Sequence, residues 1–161
     1  LLHFLEEPVV NGNVTTAKVS DEGGILRCTT LLPVNNVIKK IGGPGKEFMG
    51  TNVNWTIRKK ELAKVQYGGK WRINLSPAKA SERDYFLNVI DVGPNPVKDI
   101  RLAEDARSAT VTFTTAQGRK VSVTFIKNGT PGGKIRIEEN GKVLCDEALR
   151  KDIQPQSGFL Y

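Results

Sequence analysis

Lys134-Ile135-Arg136-Ile137-Glu138-Glu139-Asn140-Gly141-Lys142-Val143-Leu144-Cys145 is the stretch on which the fold turns. Its first half alternates polar and apolar residues with a period of two, which places the isoleucines on one face of an extended strand. Asn140-Gly141 then interrupts the alternation before Lys142-Val143-Leu144-Cys145 resumes it. Asn-Gly between alternating runs is the strongest short-range hairpin signal, because both central residues of the tight turn must take positive φ.

The pattern repeats upstream. Val111-Thr112-Phe113 and Val121-Ser122-Val123-Thr124-Phe125 alternate in the same way and are joined by Ala116-Gln117-Gly118-Arg119. They predict a second hairpin with one apolar and one threonine-rich face. Further strands are expected at Val14–Val19, Gly24–Leu31, Asn36–Ile41, Trp71–Leu75 and Tyr85–Val92. Tyr85–Ile90 is mostly apolar, so it reads as a central strand buried on both faces. The only helical candidate is Arg58–Val65, and Ala103–Ser108 is at most a turn. The 16 glycines and 8 prolines fall between the runs. The predicted class is therefore all-β, an antiparallel β-sandwich with hairpins and little or no helix.

At 161 residues the chain is long enough for one domain, or two small ones. Gly93-Pro94-Asn95-Pro96 is the one composition break able to divide it, into 1–92 and 97–161. A crossing between two sheets of one sandwich explains that break equally well. The chain opens Leu1-Leu2-His3-Phe4-Leu5 with no initiating Met and no basic leader. It reads as one β-rich region, 1–161, that starts inside a strand and is cut from a longer polypeptide. No run of eighteen apolar residues is present, so no membrane span is expected.

Formal charge is +7, which favours an acidic partner or, more simply, a solvated basic surface. Cys28 and Cys145 lie too far apart for a CxxC pair and give no zinc pattern. Cys28 falls in an apolar strand pattern and is expected to be buried and inert; pairing of the two in an oxidising compartment is the alternative.

Enzymatic readings find little footing. A Ser-His-Asp or Cys-His arrangement needs a histidine base, and the single histidine, His3, lies in an apolar strand pattern, where a structural side chain is commoner than a catalyst. Clusters with metal-ligand spacing are missing, and neither a metal nor a cofactor is expected. Gly42-Gly43-Pro44-Gly45-Lys46-Glu47 lacks the GxxxxGK[ST] spacing and the following helix of a phosphate loop. It is read as a sharply shaped corner. Glu6 with Glu7, and Glu138 with Glu139, would point to opposite sides of a strand.

Single-strand nucleic-acid binders interleave cations with exposed aromatic platforms, whereas aromatics here are 7% and mostly alternate like core. No nucleic-acid partner is expected. Two interleaved patches remain, Trp55 with Arg58, Lys59 and Lys60, and Tyr67 with Lys70 and Arg72. They suit sugar stacking plus contact with an anionic group, and are the candidate glycan-binding residues.

Several segments, in order, carry a family resemblance: Leu1–Pro8, Leu31-Leu32-Pro33, Ile41–Phe48 with Gly50-Thr51-Asn52, Trp71–Pro77, and Asp84–Ile90. Together they resemble the C-terminal β-sheet region of heparinase II and related heparinase II/III-like polysaccharide lyases. The resemblance covers about residues 1–92 well and the remainder weakly. It implies a bacterial, periplasmic or secreted lyase whose helical toroid and antiparallel sandwich form a cleft for acidic polysaccharide. Cleavage in that family is by β-elimination: a base removes the C5 proton of a uronic acid and an acid protonates the leaving oxygen. The tyrosine and histidines responsible lie in the toroid and central sandwich, and no position of this sequence matches those motifs. No catalytic residue is carried over, and His3 and Tyr85, both in strand-core patterns, are not taken as substitutes. The implied role of this chain is structural support, with the remainder of the lyase chain as partner. An accessory carbohydrate-binding module for anionic glycan is the alternative.

Overall fold

The computed structural model describes residues 2–18, 23–43 and 71–149. Among them every regular element is a strand, and the fold is all-β with antiparallel pairing throughout. The proposed helix at Arg58–Val65 lies outside the described residues. The chain divides into two compact units, Leu1–Pro94 and Asn95–Tyr161.

The first unit contains two sheets. One holds β1 (Leu2–Phe4), β6 (Trp71–Pro77) and β5 (Asn36–Gly42), in that order. The other runs β2 (Val9–Asn11), β3 (Val14–Lys18), β4 (Ile25–Leu32) and β7 (Leu87–Val92). Alternation sends one set of side chains from each sheet toward the other. Phe4 of β1, Ala17 of β3 and Ile73 of β6 form the centre of the core, each at most 6% exposed. Leu2, Val10, Leu26, Ile38 and Trp71 pack around them. Two sheets sharing one apolar layer make this unit a small sandwich.

β7 corrects one expectation. Among the described residues it is the edge of its sheet and pairs only with β4, not the central strand that its apolar run predicts. Ile90 stands in register with Cys28, yet Ile90 is 55% exposed and Cys28 only 3%. Cover from the facing sheet therefore ends between the two strands. Phe86, expected in the core, precedes β7 and is exposed. His3 is exposed on β1, and Tyr85 is half-buried before β7 begins, so neither takes the strand-core position its pattern predicts.

The second unit is one five-stranded meander: β8 (Lys98–Glu104), β9 (Ser108–Thr114), β10 (Lys120–Ile126), β11 (Gly133–Glu139) and β12 (Lys142–Ala148). Both predicted hairpins are present. Asn140 and Gly141 have φ of 50° and 79°, the paired positive angles that the two-residue turn requires. β8 starts in a stretch for which no strand was expected and takes in Ala103 and Glu104, where at most a turn was expected. Its alternation is broken by a register shift between Lys98 and Arg101, which contains Asp99 at φ 55°.

At the other end of this sheet, Asp105 shapes the β8–β9 turn. Its Oδ1 accepts hydrogen bonds from the Arg107 and Ser108 amides, both at 2.7 Å. Those bonds hold its carboxyl below the usual aspartate range. Lys127, just past β10, ties the neighbouring loop to the same turn: its ammonium lies 2.6 Å from Glu104 and donates to the Asp105 carbonyl at 2.7 Å.

Candidate functional site

The two faces of the meander differ in chemistry because the period-two pattern runs through all its strands. Ala109, Val111 and Val121 are buried on one face. On the opposite face the register builds polar rows that cross the strands. Arg101 of β8 lies opposite Thr112 of β9, Thr112 opposite Ser122 of β10, Ser122 opposite Arg136 of β11, and Arg136 opposite Asp146 of β12. A second row joins Lys98, Thr114, Lys120 and Glu138. A third contains Thr110 and Thr124, whose hydroxyls are 2.8 Å apart.

Arg101, Thr112, Ser122 and Arg136 of the first row and Thr114, Lys120 and Glu138 of the second line a cleft of about 500 Å3. Asp99 enters it from the β8 bulge, where its carboxylate accepts a hydrogen bond from the Thr114 hydroxyl at 3.3 Å. At the β11 side the charges are committed to one another. Arg136 Nε donates to Glu138 Oε1 at 2.8 Å, and its Nη1 lies 3.4 Å from Asp146 Oδ2. Lys134 approaches the other oxygen of Asp146 at 2.8 Å. The hydrogen bond from Lys134, then its charge and that of Arg136, keeps the Asp146 carboxyl below its ordinary range. Glu138 in turn holds the Arg136 guanidinium still more firmly protonated.

Arg101 and Lys120 are different. Both are exposed, both line the cleft, and neither has an ion-pair or hydrogen-bond partner among the described residues. The Thr112 and Ser122 side chains lie between Arg101 and Arg136 in the same row. The arrangement offers two open cations, hydroxyls able to donate or accept, and carboxylates able to accept. It has the groups to bind a polar anionic ligand.

Six of the seven candidate glycan-binding residues, Trp55, Arg58, Lys59, Lys60, Tyr67 and Lys70, lie outside the described residues. Arg72 is described: it sits on β6 between His3 and Ile41 in register and is 1% exposed. Its guanidinium is enclosed within the first unit and is not offered at a surface. On the adjoining strand Lys40 lies 5.5 Å from the Trp71 ring centroid and 2.6 Å from the Glu7 carboxylate.

A smaller cavity of about 90 Å3 lies between the two sheets of the first unit, lined in part by Thr15, Cys28, Thr30 and Asn88. Cys28 is a free, buried thiol whose pKa burial pushes up, and Cys145 is a free, half-buried one. Among the described residues no group of three or more His, Cys, Asp or Glu side chains could hold a metal ion. In the same residues no helix is long and apolar enough to cross a membrane.

The threonine-rich face of β9 and β10 was visible as alternation in the sequence. Arg101 and Lys120 were not singled out, because β8 was not recognised and their proximity depends on cross-strand register. No protein-family model matches the chain, and no curated protein is significantly similar to it.

Proposed function

We propose that this chain is a β-rich supporting region of a larger heparinase II/III-like lyase acting by β-elimination on acidic, uronate-containing polysaccharide in a periplasmic or secreted setting. The observation that carries this reading is where the family-like segments lie in the first unit. Phe4 and Pro8 from the first segment, Leu32 from the second, Arg72 and Ile73 from the fourth, and Val89 from the last are all buried. Residues packed this way hold sheets together, and support is the role that such placement favours. The test is to incubate uronate-containing polysaccharide with this chain and with a longer polypeptide that includes it, following the ultraviolet absorbance of unsaturated product. Product from the longer polypeptide alone is expected. Product from this chain alone, or from neither, overturns the reading.

A second reading, an accessory module that holds anionic glycan, is favoured by the +7 formal charge and by the polar cleft of the five-stranded sheet. The two readings are compatible, since a lyase for acidic polymers gains from a neighbouring surface that retains them.

A further inference from the structure

We propose that the polar cleft of the β8–β12 sheet is a binding site for an acidic oligosaccharide, with Arg101 and Lys120 receiving its carboxylate or sulfate groups. The proposal rests on the second reading above and assigns it a place that the Trp55–Arg72 candidates do not include.

Three features of the cleft select the ligand class. Its two open cations stand on β8 and β10, with β9 between them. At the usual strand separation, and with the two cations in neighbouring rows two residues apart along the strands, their backbones are roughly 12 Å apart, a span that suits anionic groups along an extended chain. Thr112 and Ser122, whose hydroxyls make no side-chain hydrogen bond among the described residues, fill the row beside those cations. Hydroxyls of this kind match the hydroxyls of a sugar, which also donate and accept.

The carboxylates favour a ligand rich in hydroxyl donors over a nucleic acid. Asp99 and Glu138 line the same cleft as Arg101, Lys120 and Arg136. A sugar can donate hydroxyl hydrogens to those carboxylates. A phosphodiester backbone has few hydroxyl donors to offer them. The cross-strand rows of this face carry no aromatic side chain, and Phe113, the one aromatic residue lining the cleft, is half-buried on β9, so the cleft lacks the series of exposed aromatics on which successive bases stack. Recognition is therefore ionic and hydroxyl-mediated, and it should weaken with salt.

The test uses the whole chain on immobilised heparin, polygalacturonate, dextran and single-stranded oligothymidylate. Salt-reversible retention on one or both acidic glycans, with none on dextran or DNA, is expected. Heparin alone would identify sulfate as the anchor, and polygalacturonate as well would identify the carboxylate. Arg101→Gln/Lys120→Gln should lower the affinity roughly tenfold or more, the scale of two lost charge-assisted hydrogen bonds. Its circular dichroism should stay unchanged, because both side chains are exposed and unpaired. Arg58→Gln/Lys60→Gln should leave binding in place. If that second variant abolishes retention while the first does not, the module reading survives and this site is overturned. Failure to be retained on both acidic glycans, or equal retention on DNA, overturns both; neither outcome touches the lyase assay.

Discussion

Arg136 and Glu138 point the same way from β11, two residues apart, and Arg136 Nε donates to Glu138 Oε1 at 2.8 Å. The pair neutralises one side of the cleft. Arg136 extends toward Asp146 on β12, and Asp146 takes its second cation from Lys134. These contacts are exposed and individually modest. Their larger effect is distributional: the β11–β12 side is balanced, while the open positive charge of the cleft lining lies at Arg101 and Lys120.

Acid should loosen this unit through two aspartates. The Asp105 and Asp146 carboxyls are both held below their ordinary range, Asp105 by the Arg107 and Ser108 amides and Asp146 by Lys134 and Arg136. A depressed carboxylate contributes stability fully above its unfolded value, and that contribution is lost as pH falls through the folded value. Melting temperature should therefore hold near neutrality and drop only below the ordinary aspartate range. In Asp105→Ala/Asp146→Ala part of that acid-side slope should vanish. A double variant with the parental slope in a pH series of thermal melts would contradict the assignment.

Gly133 opens β11 at a point where the backbone of β10 passes very close. A Cβ there would meet the Thr124 carbonyl oxygen at less than bonding-free contact and the Leu149 Cδ1 at 2.7 Å. Gly133→Ala should cost about 1–3 kcal/mol, because a backbone atom cannot step aside as a side-chain tip can. Gly132→Ala places its Cβ 3.6 Å from Ile126 Cδ1, an ordinary contact, and should change stability by about 0.5 kcal/mol or less. Urea denaturation of the two variants makes the comparison.

Ile73 joins the two sheets of the first unit through its packing with Phe4 and Ala17. Ile73→Ala should cost about 2–5 kcal/mol, the range for deleting a buried branched side chain. Ile38→Ala, at a partly buried position beside the same cluster, should cost less. Equal losses in chemical denaturation would mean that the core is not centred where Ile73 lies.

The two thiols should be separable by reactivity. Cys28 is 3% exposed, and burial raises its pKa, so little attacking thiolate forms near neutral pH. Cys145 is half-buried on β12. A thiol-exchange reagent should label Cys145 first in the native protein and Cys28 only after denaturant is added, as peptide mapping would show. Rapid native labelling of Cys28 would contradict the core position of β4.

Much of the all-β fold was legible locally. Asn140-Gly141 specified its own turn, and the alternation from Val111 to Phe125 specified which side chains share a face, because both signals depend on neighbouring residues alone. β8 was harder to see. Ile100 and Leu102 alternate, but the bulge at Asp99 shifts the pairing and charged residues surround them. β7 was misjudged for the opposite reason: its apolar run looks central, while Phe86, Ile90 and Val92 are all more than half exposed. Composition reports how apolar a strand is, and only its neighbours determine how much of it is covered.

By itself the sequence determined the class of structure, the two C-terminal hairpins and the division of each strand into a polar and an apolar side. Those are short-range consequences of side-chain period and turn geometry. The tertiary structure decided which polar residues meet. Arg101, Lys120 and Arg136 are separated by turns in the chain, and they line one cleft because the pairing register aligns β8, β9, β10 and β11. A shift of one residue in any of those pairings would send a polar row to the other face. Register is a property of the assembled sheet, and the candidate site exists only at that level.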